Sequence, residues 1–231
     1  MALAPQKTLA MTDADRDRVS AAVSGAEATS AGEIVTIHAA ASDDYHDIAL
    51  IWSFAIGLLA LVALTLAPNF FLNLLDRISG NWTQQWTPRE LFGIAAVVVS
   101  IKALTIWLLQ LWRPLRLALV PASVKHARVR TRAVTCFKIG AERRTTGRTG
   151  ILIYLSEAEH RAEIVADEAI ASLVPAEVWG DAMAALLAEL KRGRMADGLV
   201  AAIGQVGIIL AAHFPHADDD RNELPDRMIE V

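Results

Sequence analysis

Two apolar runs, residues 48–67 and 91–112, are each long enough to cross a bilayer as a helix, and they constrain everything else this chain can fold into. A hydrocarbon core of roughly 30 Å takes about 20 apolar residues, and only a helix satisfies its own backbone groups inside it. The first run carries no charge. The second contains Lys102, whose cost of about 3 kcal/mol near a helix centre is outweighed by Leu91, Phe92, Ile94, Val97 and the aliphatic residues that follow, each returning roughly 0.3–0.6 kcal/mol. The sequence therefore predicts an integral membrane protein whose first partner is the lipid bilayer.

Orientation follows from the basic residues, which favour the cytoplasmic side. Residues 28–47 carry none, the segment between the runs carries Arg77 and Arg89, and residues 113–132 carry Arg113, Arg116, Lys125, Arg128, Arg130 and Arg132. Six against two puts both termini in the cytoplasm. The external segment then includes Phe70-Phe71-Leu72-Asn73-Leu74-Leu75-Asp76, an amphipathic piece suited to the interface. Trp52, Trp82, Trp86, Trp107 and Trp112 fall near the expected boundaries, as interfacial belts do. Met1 to Lys7 lacks the apolar core of a cleaved signal, so the first run is expected to act as an uncleaved anchor. Asn81-Trp82-Thr83 matches a glycosylation sequon, a pattern common by chance. Lys102 marks a pathway or a helix partner, or else a lysine snorkelling within a dimer.

Outside the runs, residues 1–47 and 113–231 suffice for one globular domain, so the expected organisation is a first part over 1–47, a hairpin over 48–112, and the remainder with an acidic tail over 113–231. A net charge of −4 without a long basic arm argues against nucleic acid, and the single Cys136 excludes an internal disulfide. Thr12 and Asp15 form a capping box ahead of Val19, Ala22, Val23 and Ala26, which predicts a helix over 13–28. Gly32 ends it, and Glu33-Ile34-Val35-Thr36-Ile37-His38-Ala39 reads as a strand. Beyond the second run, 123–143 is a basic amphipathic helix suited to anionic lipid or to a sheet face. Ile151-Leu152-Ile153-Tyr154-Leu155 has the continuous apolar character of a doubly covered strand, paired as a hairpin with residues 161–166. A helix is expected from Pro175 to Leu190, and another over 197–214. Residues 198–212 are uncharged but number only 15, so the last helix reads as core and not as a third span. The expected fold class is α/β, a small mixed β-sheet flanked by helices and interrupted by a two-helix transmembrane hairpin.

The chemistry visible in the residues is thin: there is no phosphate loop, no nucleophile elbow, no His-Glu-x-x-His and no Cys pair. The one polar constellation at a meaningful place is Glu157, Glu159 and His160 at the end of the central strand, toward which Glu33, Asp167 and Glu168 are candidates to converge. Gathered carboxylates suit a hard cation, Ca²⁺ or Mg²⁺, which would polarise a phosphate ester. The plainer reading of 157–160 is a solvated hairpin turn. A parallel pairing of the first strand with the central one brings Glu33 toward Asp167, and an antiparallel pairing brings it toward Glu159; the helical crossover between them favours parallel. His213 and His216 straddle Pro215 and read as helix capping. Asp218, Asp219, Asp220, Glu223 and Asp226 read as a solvated acidic tail.

Gly147-Arg148-Thr149-Gly150-Ile151-Leu152-Ile153-Tyr154-Leu155-Ser156 with Glu159 and Ala166-Asp167, then Trp179, Gly198-Leu199 and His213-Phe214-Pro215, resembles the TPM domain family. That family includes a thylakoid-lumen phosphatase, a photosystem repair protein and a receptor modulator. The resemblance is closest to a bacterial branch anchored in the inner membrane by two spans. It implies an α/β sandwich with helices on both faces of a small mixed sheet. Phosphatase-like members share a glycine-rich acidic stretch after the hairpin, whereas Asp167-Glu168-Ala169 here lacks glycine, and most relatives hold the domain outside the cytosol. The leading expectation is a membrane-anchored interaction or accessory module that engages an unknown protein partner or self-associates through its spans. The alternative is a metal-dependent phosphatase at the cytoplasmic membrane face, with Glu33, Glu159 and Asp167 as ligands of Ca²⁺ or Mg²⁺ and His160 as acid or base.

Overall fold

The computed structural model describes residues 11–80, 86–140, 149–216, 224 and 226–231. The sequon at Asn81, residues Gly147 and Arg148, and the tail carboxylates Asp218, Asp219, Asp220 and Glu223 lie outside the described residues. The chain divides into two compact units, Asp44–Pro121 and a unit built from Met1–Asp43 with Ala122–Val231.

The second of these units opens with α1 (Asp13–Glu27), started by the expected capping box. Thr12 N and Oγ1 donate to Asp15 Oδ2 at 3.2 and 2.7 Å, and Asp15 N donates back to Thr12 Oγ1 at 3.2 Å. The reciprocal bonds satisfy donors that a helix start leaves open. Strand β1 (Glu33–Ala39) follows with the expected bounds. The chain then leaves for the other unit.

In Asp44–Pro121, α2 (His46–Leu66) is followed by α3 (Pro68–Ser79), α4 (Pro88–Leu109) and α5 (Arg113–Leu119). Helices α2 and α4 pack with opposite chain directions: Gln110 Nε2 donates to Ala49 O at 3.1 Å, while Gly57 faces Val99 and Ala103. A Cβ on Gly57 would stand 3.4 Å from Val99 Cγ1 and 3.5 Å from Ala103 Cβ, ordinary contact distances. Trp52 Nε1 donates to Leu119 O at 3.1 Å and Trp86 Nε1 to Asp76 Oδ1 at 2.9 Å. Leucines, valines and phenylalanines cover the outward faces of both long helices. Both are long and apolar enough to cross a membrane, with mean hydropathy of 2.4 and 2.2.

Returning to the α/β unit, α6 (Ala122–Gly140) leads to β2 (Gly150–Ser156) and β3 (Arg161–Ala166), then to the short α7 (Glu168–Leu173) and a single 3₁₀ turn at Ala176–Val178. Helices α8 (Trp179–Leu190) and α9 (Met195–His213) follow, and β4 (Ile229–Glu230) closes the fold. The sheet order is β3-β2-β1-β4. Strand β1 runs parallel to β2 in the register Glu33↔Gly150 to Ala39↔Ser156, β2 and β3 form the antiparallel hairpin, and β4 pairs parallel with β1. The first strand thus pairs with the central one across the long intervening segment, in the parallel sense that the crossover favours.

Alternation along the strands sorts the core into two layers. Ile34, Ile151, Ile153 and Leu155 pack with Val19, Val23, Leu186, Leu199, Ile203 and Leu210 from α1, α8 and α9. Val35, Ile37, Leu152 and Tyr154 pack on the other face with Val129, Ala133 and Phe137 of α6. Strand β2 is therefore buried along its whole length, which is why its sequence is apolar without alternation. Helix α6 covers a sheet face through Val129, Ala133 and Phe137, and Glu163 of β3 ties it down with Arg130 at 3.5 Å and His126 at 3.3 Å. Helix α9 is also apolar enough to cross a membrane, yet it seats Leu199, Ile203, Val206 and Leu210 in the core. The helix expected from Pro175 begins instead at Trp179, because the chain first makes the 3₁₀ turn at Ala176–Val178.

Candidate functional site

The polar groups of the α/β unit collect at the two ends of the sheet. At the start of β1 and β2, Glu33 N donates to Thr149 O at 3.1 Å and Asp167 N donates to Gly150 O at 2.9 Å. Glu33 begins β1 and Asp167 follows β3, so they share this end but lie on strands separated by β2, about 10 Å by strand spacing. Asp167 caps α7: its Oδ1 accepts from Glu168 N at 2.8 Å. Its Oδ2 is buried without a hydrogen-bond partner among the described residues.

Glu33 is itself buried and committed to the fold, its Oε2 accepting from Leu224 N at 3.2 Å. Beside it, Glu27 Oε1 accepts from Ile34 N at 2.7 Å, and Asp226 Oδ2 accepts from Ser24 Oγ. Burial pushes the Glu27 carboxyl up to about 8; the neighbouring Glu33 and Asp226 carboxylates and a hydrogen bond with Asp226 add to the rise, while the Ile34 N–H opposes it. Three carboxyl groups from α1, β1 and the C-terminal segment thus hold α1, Leu224 and residues 226–231 against the first strand. Farther along, Val231 N donates to His38 O at 3.0 Å and Ala40 N to Val231 O at 3.1 Å. Arg16 Nε donates to Glu230 Oε1 at 3.0 Å.

The opposite end carries Glu159, about 20 Å away by the rise of the six steps from Gly150 to Ser156. Its carboxylate accepts from Ser42 N at 3.2 and 3.3 Å and from Ser156 Oγ. Ser42 Oγ lies 3.0 Å from the Tyr154 hydroxyl and 2.8 Å from Ser156 Oγ. Burial raises the Tyr154 hydroxyl above its ordinary value, and its hydrogen bond with Ser42 opposes the rise. His38 Nε2 stands 3.4 Å from Glu157 Oε2. His160 sits in the β2–β3 turn with φ of 50°, in the left-handed region, and its N–H donates to Glu157 O at 3.0 Å. It lines an open cleft with Leu155, Glu157, Leu187, Lys191 and Met195.

The register therefore corrects one expectation: Glu33, Glu159 and Asp167 do not converge on one ion. Parallel pairing sends Glu33 and Asp167 to one end of the sheet and Glu159, with His160, to the other. Direct oxygen ligands must lie within about 2.6 Å of one ion. Among the described residues, no three His, Cys, Asp or Glu side chains are gathered to hold a metal. Asp226, expected in a solvated tail, instead bonds Ser24 and neighbours Glu27. The sequence carried a signal for this docking in Leu224, Met228 and Ile229, apolar residues interleaved with the tail's charges, and Leu224 and Met228 are buried.

The TPM domain family model matches residues 117–208, from within α5 to within α9. The NMR structure of the BA42 protein from the psychrophilic bacterium Bizionia argentinensis is similar over 100% of both chains, with a TM-score of 0.55 at 17% identity, a likeness of fold. No curated protein matches the chain. The chain is thus similar to the TPM domain family over residues 117–208, a stretch that contains β2 and β3 of the mixed sheet.

Proposed function

We propose that this chain is a membrane-anchored interaction or accessory module of the bacterial inner membrane. In this reading α2 and α4 cross the bilayer as a hairpin, both termini are cytoplasmic, and the TPM domain engages a protein partner. One observation carries it: the outward faces of α2 and α4 are apolar, with Phe54 74% and Phe92 77% exposed. Each large apolar side chain left in water forgoes roughly 1.5–3 kcal/mol, and a hydrocarbon core removes that cost along both helices at once. The basic residues from Arg113 to Arg132 support the orientation.

Binding is favoured over turnover because the polar groups at both sheet ends are used by the fold. Glu159, Ser42, Ser156 and Tyr154 bond one another, Glu33 receives Leu224 N, and Asp167 caps α7. The experiment for the anchor is alkaline carbonate washing of membranes expressing the whole chain. Retention in the pellet is expected, and release into the supernatant would remove the reading.

The competing reading is a metal-dependent phosphatase using Glu33, Glu159, Asp167 and His160. It has no gathered ligand set among the described residues. It displaces the accessory reading if Ca²⁺ or Mg²⁺ both raises the thermal midpoint of the protein and supports hydrolysis of p-nitrophenyl phosphate. If neither happens, it is abandoned.

A further inference from the structure

We propose that the flank of α4 around Lys102 is a docking site inside the bilayer for a partner's membrane-spanning helix that carries a carboxylate at the same depth; this rests on the membrane-anchored reading above. Lys102 is exposed, and no hydrogen bond or ion pair holds it among the described residues. It lies level with Gly57 at the middle of α2, because Gly57 packs between Val99 and Ala103. Measured along α4 itself, it is about 5 Å from the helix midpoint at 1.5 Å per residue. Both frames place Lys102 deep within the hydrocarbon span, where a charge is costly to insert. A cation held there calls for an anion at the same depth.

The occupant is narrowed by what the chain itself offers. On the two long helices its own carboxylates sit at helix starts, Asp47 in the first turn of α2 and Glu90 in the first turn of α4. They stand about 15 Å and 18 Å along the helices from the level of Lys102. A second copy of the hairpin, in either orientation, therefore brings its carboxylates to the boundary and not to the lysine. Lipid headgroups lie at the same boundary, about 10 Å away along α4 on the nearer side. The charge that matches Lys102 in sign and depth is an Asp or Glu on another helix, seated against Val98 and Thr105 one turn either side of it.

The test uses the whole chain in phosphatidylcholine vesicles with a donor fluorophore on Asn73→Cys in a Cys136→Ser background, and acceptor-labelled polyleucine helices as probes. A probe with one central Glu is expected to associate roughly tenfold more tightly than the all-leucine probe, the scale of one interhelical polar contact. Lys102→Leu should abolish that preference and Lys102→Arg should keep it. Equal binding of the two probes, or a preference that survives Lys102→Leu, overturns the proposal. So does energy transfer between copies of the protein that Lys102→Leu abolishes, which assigns the site to a second copy. Loss of the preference in phosphatidylglycerol vesicles assigns it to a headgroup and overturns the proposal equally. Both variants should remain in the membrane after carbonate washing, so loss of pairing with the anchor intact separates this proposal from the anchor on which it rests.

Discussion

Replacing Glu27 with Gln isolates the buried acidic contact at the start of β1. The carboxyl rises from an ordinary 4.5 to about 8, chiefly through burial. Its proton is bound more tightly in the folded chain than in the unfolded one. The resulting stability is complete below pH 4.5 and is lost as pH rises through about 8. Taken whole, a rise of 3.5 pH units corresponds to about 5 kcal/mol, but Glu27 is only partly buried and water screens it, leaving about 1–2 kcal/mol. Gln keeps an oxygen to accept from Ile34 N and a donor toward Asp226, so geometry is preserved while titration is removed. Thermal unfolding of the detergent-solubilised whole chain between pH 5 and 9 is the assay. Wild type and Glu27→Gln should match near pH 5, and the variant should melt roughly 2–6 °C higher at pH 9. Parallel pH profiles for the two proteins would refute the reasoning, since they would mean Glu27 titrates alike in both states.

Gly198→Ala should destabilise by about 1–2 kcal/mol in the same assay, since the steric cost of overpacking exceeds the helix-propensity gain. The added Cβ would stand 2.9 Å from the Leu186 carbonyl oxygen and 3.1 Å from Leu186 Cδ1, where α8 meets α9; an unchanged midpoint would show that the two helices can separate without loss. Glu159→Ala should cost about 2–3 kcal/mol because Ser42 N and Ser156 Oγ lose a buried acceptor. Glu159→Gln should cost less than half as much, and equal losses would place the effect in side-chain volume and not in hydrogen bonding.

Much of the sheet was legible because its signals are local. Strand β1 announces itself through β-branched residues after Gly32, β2 through an unbroken apolar run, and α1 through the Thr12–Asp15 box. Parallel pairing of β1 with β2 was expected from the helical crossover between them, without any local mark. What escaped depends on contacts made far apart in sequence. Strand β4 is two residues long and exists only because Ile229 finds Ile37, so no periodicity could mark it. Glu27 sits on α1 as one charge among many, and its importance comes from Ile34 N and Asp226 arriving beside it. The three-carboxylate site failed for a related reason. Residues near strand ends look equivalent in sequence, and only the register decides which end each occupies.

The most direct test of the membrane-anchored account is single-cysteine labelling in intact cells with an impermeant thiol reagent, in a Cys136→Ser background. One cysteine replaces Thr83, between the two long helices, and another replaces Ser172 on α7. Thr83→Cys should label in intact cells, while Ser172→Cys should label only after the membrane is permeabilised. Labelling of Ser172→Cys in intact cells with Thr83→Cys protected would reverse the orientation, and labelling of both would contradict a hairpin that crosses the bilayer.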